Sequence, residues 1–139
     1  MKNDRGLSLP EILIAIVFAN LLAATAIPRY ITMQNRAREG QVKSNMHMLQ
    51  IAVEQFAVEM GALEGEVRYP FAADAATVTA MLPGGSTPRN PFTGVSSVVV
   101  WGGAAATQGD LGYTVPANDQ YVITGFGAAD LLPFDLRNF

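Results

Sequence analysis

Leu7 to Ile27 is a run of 21 residues with one charged side chain, Glu11. About 20 predominantly apolar residues form a helix long enough to cross the hydrocarbon core of a bilayer. Backbone groups in lipid have no water to bond, so a spanning segment this short has to be helical. The run carries three irregularities. Pro10 and Glu11 stand at its start, and Pro28 follows its last residue.

Ionisable residues inside membrane segments are costly and are expected to have partners. Glu11 lies near one end, so the full mid-bilayer cost does not apply. Two accounts of it stand side by side. Ser8-Leu9-Pro10-Glu11 fits the S-x-x-E capping box, in which the glutamate reaches back to the Ser8 N–H. The other account pairs Glu11 with a positive charge from another chain. The two are compatible.

Gly6-Leu7-Ser8-Leu9-Pro10-Glu11, after the polar leader Met1-Lys2-Asn3-Asp4-Arg5, resembles the prepilin processing signal of type IV pilins and type II secretion pseudopilins. The resemblance implies that a membrane peptidase cuts between Gly6 and Leu7 and methylates Leu7. Glu11 then becomes the fifth residue of the mature chain, where the family's glutamate neutralises the N-terminal amine of a neighbouring subunit. Such a pair in a low dielectric is strong only if its geometry is good. Pro28 falls at the position of a proline common in the family. The sequence departs from the pattern at Leu7, where phenylalanine is commoner, and at Pro10, where an aliphatic residue is usual. Pro10 is tolerable because the first-turn N–H groups have no intrahelical acceptor.

The resemblance implies an α+β, pilin-like fold: a long N-terminal helix whose second half packs against a small antiparallel β-meander. The domains it implies are a leader (1–6), a hydrophobic transmembrane and assembly helix (7–28) and a globular head (29–139). It also implies a non-enzymatic structural subunit of a type IV pilus-like filament, or alternatively a major-type pseudopilin. The implied partners are further copies of the same subunit, the prepilin peptidase/methyltransferase, the inner-membrane assembly platform and, before assembly, lipid. Residues 1–6 would be cytoplasmic and the head extracellular or periplasmic after assembly. Charge counting does not supply this orientation, since Arg29, Arg36, Arg38 and Lys43 follow the apolar run. A third reading comes from Ala24-Thr25-Ala26, an A-x-A site behind a charged start and an apolar core, as in a secretory signal. Cleavage there would release a soluble extracytoplasmic binding module.

A chain of 139 residues makes one ordinary domain plus an anchor. Its net charge of −3, or −4 once Lys2, Asp4 and Arg5 are removed, argues against a nucleic-acid backbone as main partner. There is no cysteine, so the disulfide that closes many pilin heads is absent and the head has to hold by packing, hydrogen bonds or an ion.

Past Pro28 the helical pattern continues. Val42, Met46, Leu49, Val53, Phe56 and Met60 recur at spacings of three and four, an apolar stripe that predicts the spine of the head. Glu39 and Lys43 are spaced for an i,i+4 pair. Gly61 is the expected stop, and bending or melting is expected at Pro28. A short helix capped by Asp74 is predicted over Ala75–Leu82, then a turn at Asn90-Pro91. Strands are predicted over Val95–Trp101, Leu111–Val115 and Gln120–Phe126. The apolar tail Leu131–Phe139 is expected to pack. His47, the only histidine, reads as a surface or interface residue rather than a general base. Asp110, Asn118, Asp119 and Asp130 are loop oxygens that could gather around Ca²⁺ as in pseudopilin heads, although their spacing fits no calcium-loop pattern. Trp101, Tyr113 and Tyr121 read as core or subunit contacts, and Tyr30 as an interfacial aromatic.

Overall fold

The computed structural model describes residues 8–65, 67–117 and 119–138. Its elements in chain order are helix α1 (Leu9–Glu64), a 3₁₀ turn (Ala72–Asp74), helix α2 (Ala75–Met81), a second 3₁₀ turn (Pro83–Gly85) and four strands. The strands are β1 (Val99–Trp101), β2 (Leu111–Ala117), β3 (Gln120–Gly125) and β4 (Leu136–Arg137). The chain divides into two compact units, Met1–Gln34 and Asn35–Phe139.

α1 is assigned without a break through Pro28. The ring removes one hydrogen bond, to the Ala24 carbonyl, and a single missing bond does not interrupt the ladder. The expected melting there is not seen. The expected stop at Gly61 also shifts. The helix runs on to Glu64, and Gly65 takes the left-handed conformation (φ +77°) that ends helices. The Gly65 N–H closes on the Gly61 carbonyl at 3.1 Å.

In the head unit the predicted stripe is the core. Val42, Met46, Leu49, Val53 and Phe56 are buried, and Met60 is packed against them. Val78 and Leu82 cover one side. Leu111, Tyr113, Tyr121, Ile123 and Leu136 come down from the sheet. Alternation along β3 places Tyr121, Ile123 and Gly125 inward. A side chain at Gly125 would lie 2.7 Å from the Met46 sulfur and 2.8 Å from Val42 Cγ1, so helix and strand come closest where the strand has no side chain.

The sheet order is β1-β2-β3-β4. β2–β3 and β3–β4 are antiparallel as expected, but β1 and β2 are parallel, with Val99 opposite Leu111. Gly102 (φ +82°) turns the chain, and its N–H bonds the Tyr113 carbonyl at 2.7 Å. The connection then doubles back over Gly112, where a Cβ would sit 2.3 Å from the Ala105 nitrogen. A nine-residue link joins parallel strands here because it lies across the sheet rather than around its end.

Three local expectations are corrected. Asp74 makes no side-chain bond to the α2 N-terminus. Its carboxylate instead accepts from the Phe71 N–H at 2.9 Å and from Arg68 Nη1 at 2.8 Å. Glu39 and Lys43 form no ion pair among the described residues. Glu39 accepts from the Ala128 N–H at 3.2 Å, and the Lys43 ammonium lies 5.8 Å over the Phe134 ring. The Asn90-Pro91 turn is wider than a type I turn, since the Gly94 N–H reaches the Asn90 carbonyl.

Candidate functional site: an uncovered helix

The N-terminal part of α1 is uncovered among the described residues. One 18-residue window is apolar enough to cross a membrane, and none of it is buried. Leu9 is 73% exposed, Phe18 63% and Leu22 70%. Ile14, Val17, Leu21 and Ile27 are also exposed. Monomeric soluble proteins rarely present contiguous apolar surface on this scale, so the segment is built to meet lipid or protein.

Glu11 heads this surface. The capping account is realised in part. Glu11 Oε2 accepts from both the Ser8 N–H and the Ser8 hydroxyl, each at 2.7 Å. A full capping box would have the serine oxygen accept from a backbone N–H; here the hydroxyl donates, so one carboxylate oxygen takes both Ser8 donors. Oε1 accepts nothing among the described residues, which leaves the second account room. Gly6 and Leu7 lie outside the described residues. Ala15 and Ala19, four and eight positions past Glu11, join Ile12 and Ile16 to line a shallow groove of about 400 Å³ against the carboxylate. Sequence reading passed over these alanines. Their i+4 spacing from Glu11 was the available signal, because small residues let helix backbones approach closely. Beyond Pro28, Thr32 donates to the Pro28 carbonyl at 3.0 Å, and Tyr30 is exposed with its hydroxyl accepting from Gln34.

A second uncovered face lies in the head unit. Gly40, Ser44, His47, Ile51, Gln55, Val58 and Ala62 are all exposed, at spacings of three and four, and none is charged. Helix faces turned to water normally carry charge. Ile51 and Val58 are exposed by 68% and 71%. An ideal Cβ on Gly40 would meet nothing within 4 Å, so packing within the chain does not call for a glycine there.

The candidate cation ligands do not converge. No group of three or more His, Cys, Asp or Glu able to hold a metal occurs among the described residues. Asp110 is buried, and its oxygens are taken by the Val98 N–H at 3.2 Å, by Asn90 and by the Thr107 hydroxyl. Asp130 accepts from the Leu131 N–H. The Asp119 carbonyl accepts from Asn138, and Asn118 lies outside the described residues. Asp110 therefore acts with Asn90 as an internal staple. Asn90 Oδ1 accepts from the Phe92 and Thr93 N–H groups, and its Nδ2 donates to the Gln108 carbonyl. His47 is exposed, beside Gln50 and 6.3 Å from the Phe134 ring.

The aromatic residues of the strands form a connected interior. Burial pushes the phenols of Tyr113 and Tyr121 well above their ordinary range, and Tyr69 is raised for the same main reason. The Arg68 guanidinium holds the Asp74 carboxyl below its usual value.

Taken together, these observations define a class: an α+β, pilin-like chain, in which a long helix runs from an uncovered apolar segment into a head built with a small sheet. The chain is similar to the type IV major pilin protein PilA of Myxococcus xanthus (strain DK1622), with 36% identity over 57 residues. That stretch is 41% of this chain and 26% of the relative, so the chain matches about a quarter of the relative's length. No family model and no solved structure matches the chain.

Proposed function

We propose that this chain is the structural, non-enzymatic subunit of a type IV pilus-like extracellular filament. The observation that carries the proposal is the apolar N-terminal segment of α1, with none of its 18-residue window covered. The similarity to a major pilin supports the same reading. The precursor waits as a single-span protein of the cytoplasmic membrane. The prepilin peptidase cuts after Gly6 and methylates Leu7, and the assembly platform gathers the subunits. Their N-terminal helices then exchange lipid for one another. The amine of Leu7 in one copy meets the Glu11 carboxylate of the next, at the oxygen Ser8 does not occupy. An unpaired carboxylate among apolar helices is expensive, so Glu11 fixes register as well as affinity.

Glu11→Ala abolishes filaments seen by electron microscopy while circular dichroism shows a folded head. Normal filaments from that variant would sink the scheme. Intact mass of the mature protein separates the proposal from secretion of a soluble module. A methylated chain beginning at Leu7 supports the filament, and a chain beginning at Ile27 refutes it.

A further inference from the structure

Four aromatic rings run in file through the head. Trp101 is half-buried on β1. Its ring centroid is 5.0 Å from that of Tyr113; Tyr113 is 6.1 Å from Tyr121; and Tyr121 is 4.8 Å from Tyr69. Packing alone does not account for their polar atoms. The Tyr113 hydroxyl is buried with no hydrogen-bond partner among the described residues, a cost that phenylalanine would avoid. The Tyr121 hydroxyl is placed quite differently. It donates to Glu54 Oε1 at 2.6 Å and accepts from Gln50 Nε2 at 3.0 Å. The other Glu54 oxygen takes the Tyr69 hydroxyl at a longer 3.4 Å.

We propose that this file is a proton-coupled hole relay, which takes an oxidising equivalent in at Trp101 and brings it to rest on Tyr121. The substrate class is a one-electron oxidant in solution, such as an oxidising radical or a photo-oxidised metal complex. The oxidant removes one electron from the Trp101 indole and is itself reduced. Tyr121 returns one electron to Trp101 through the Tyr113 ring. The Tyr121 hydroxyl proton passes to Glu54 Oε1, leaving a neutral phenoxyl radical and a protonated carboxyl, with Trp101 restored. A positioned base has to lie within hydrogen-bond reach of the proton it takes. Tyr121 meets that condition and Tyr113 does not, so the two stacked phenols divide the work. Tyr113 conducts, because an oxidised phenol with no acceptor cannot shed its proton there. Tyr121 stores. The upward shift of the Tyr121 phenol by burial agrees with a proton that leaves only when the ring is oxidised. This relay stands independently of filament assembly.

The test is flash photolysis of the full chain in detergent with photo-oxidised ruthenium tris-bipyridine. Tyr30→Phe is the background, so that only the three head tyrosines remain. The expected transient is an indole radical whose decay matches the rise of a phenoxyl radical. Tyr121→Phe lengthens the indole lifetime and removes most of the phenoxyl. Glu54→Gln, which keeps size and one acceptor oxygen for the Tyr121 hydroxyl but removes the carboxylate base, slows the phenoxyl rise by at least about tenfold and makes it depend on buffer base. Thermal melts of each variant establish that the head is folded. An indole lifetime unchanged by Tyr121→Phe would overturn the relay. So would a phenoxyl rise unaffected by Glu54→Gln, or a phenoxyl lost in Tyr69→Phe rather than in Tyr121→Phe.

Discussion

Gly40→Ala should make this protein more stable. The residue is exposed in the interior of α1, and an added Cβ meets nothing within 4 Å. No clash and no gain of packing enters, so backbone preference alone sets the sign. Glycine in an exposed helix interior is about 1 kcal/mol less favourable than alanine. For a unit the size of Asn35–Phe139, about 1 kcal/mol raises the thermal midpoint by about 4–8 °C. The assay is thermal unfolding of the full chain in detergent micelles, followed by near-ultraviolet circular dichroism, which reports on the packed Trp101, Tyr113 and Tyr121. A midpoint that stays put or falls would refute the reasoning, because residue 40 would then be non-helical or held by a contact. The companion variant Gly40→Leu reads the other half of the argument. It should leave the midpoint at or above that of the natural chain and, if the proposed filament packs a neighbouring helix on this uncharged face, lower filament yield, because a bulky side chain keeps helix backbones apart.

Three further outcomes are expected. Asn90→Ala strips partners from the Phe92 and Thr93 N–H groups and from the Gln108 carbonyl. These bonds are only part-buried, so the urea midpoint should fall by the equivalent of about 1–2 kcal/mol at unchanged m-value. Gly112→Ala drives a Cβ to 2.3 Å from the Ala105 nitrogen and 2.5 Å from Thr124 Oγ1. Backbone must move, and overpacking of this kind costs about 1–3 kcal/mol in urea unfolding. Stability should also bend at both ends of the pH scale. The folded phenols of Tyr69, Tyr113 and Tyr121 are raised above the ordinary 10.0, so their contribution is complete below pH 10.0 and is lost as pH climbs above it. The urea midpoint at about pH 11 should lie below that at about pH 9. Asp74 is shifted the other way, below 3.8. Its smaller contribution, under about 1 kcal/mol because the pair is partly exposed, is present above pH 3.8 and lost as pH falls through the folded value.

What the sequence made legible, and what it hid, divides along a physical line. Val42, Met46, Leu49, Val53 and Phe56 could be read as core because burial on a helix repeats with the helix's own period. The β2–β3 pair could be read because alternation and a short link specify it locally. The parallel β1–β2 pair depends on a chain passing over Gly112, a tertiary event that no window of sequence contains. Asp110 looked like a solvated loop oxygen because the Asn90 loop that buries it lies 20 residues away. The uncovered faces follow a different logic. The run from Leu7 to Ile27 announced itself by composition. The lane through Gly40, Ser44, Ile51 and Val58 was equally written in the spacing, and it was eclipsed because the buried stripe of the same helix satisfied the search for a period. A helix with one apolar stripe and an opposite face of uncharged residues has two faces without charge, and the rest of the head covers one. None of the described residues covers the second, so substitutions on it that keep helix propensity unchanged should spare the head's melting while changing assembly of the proposed filament.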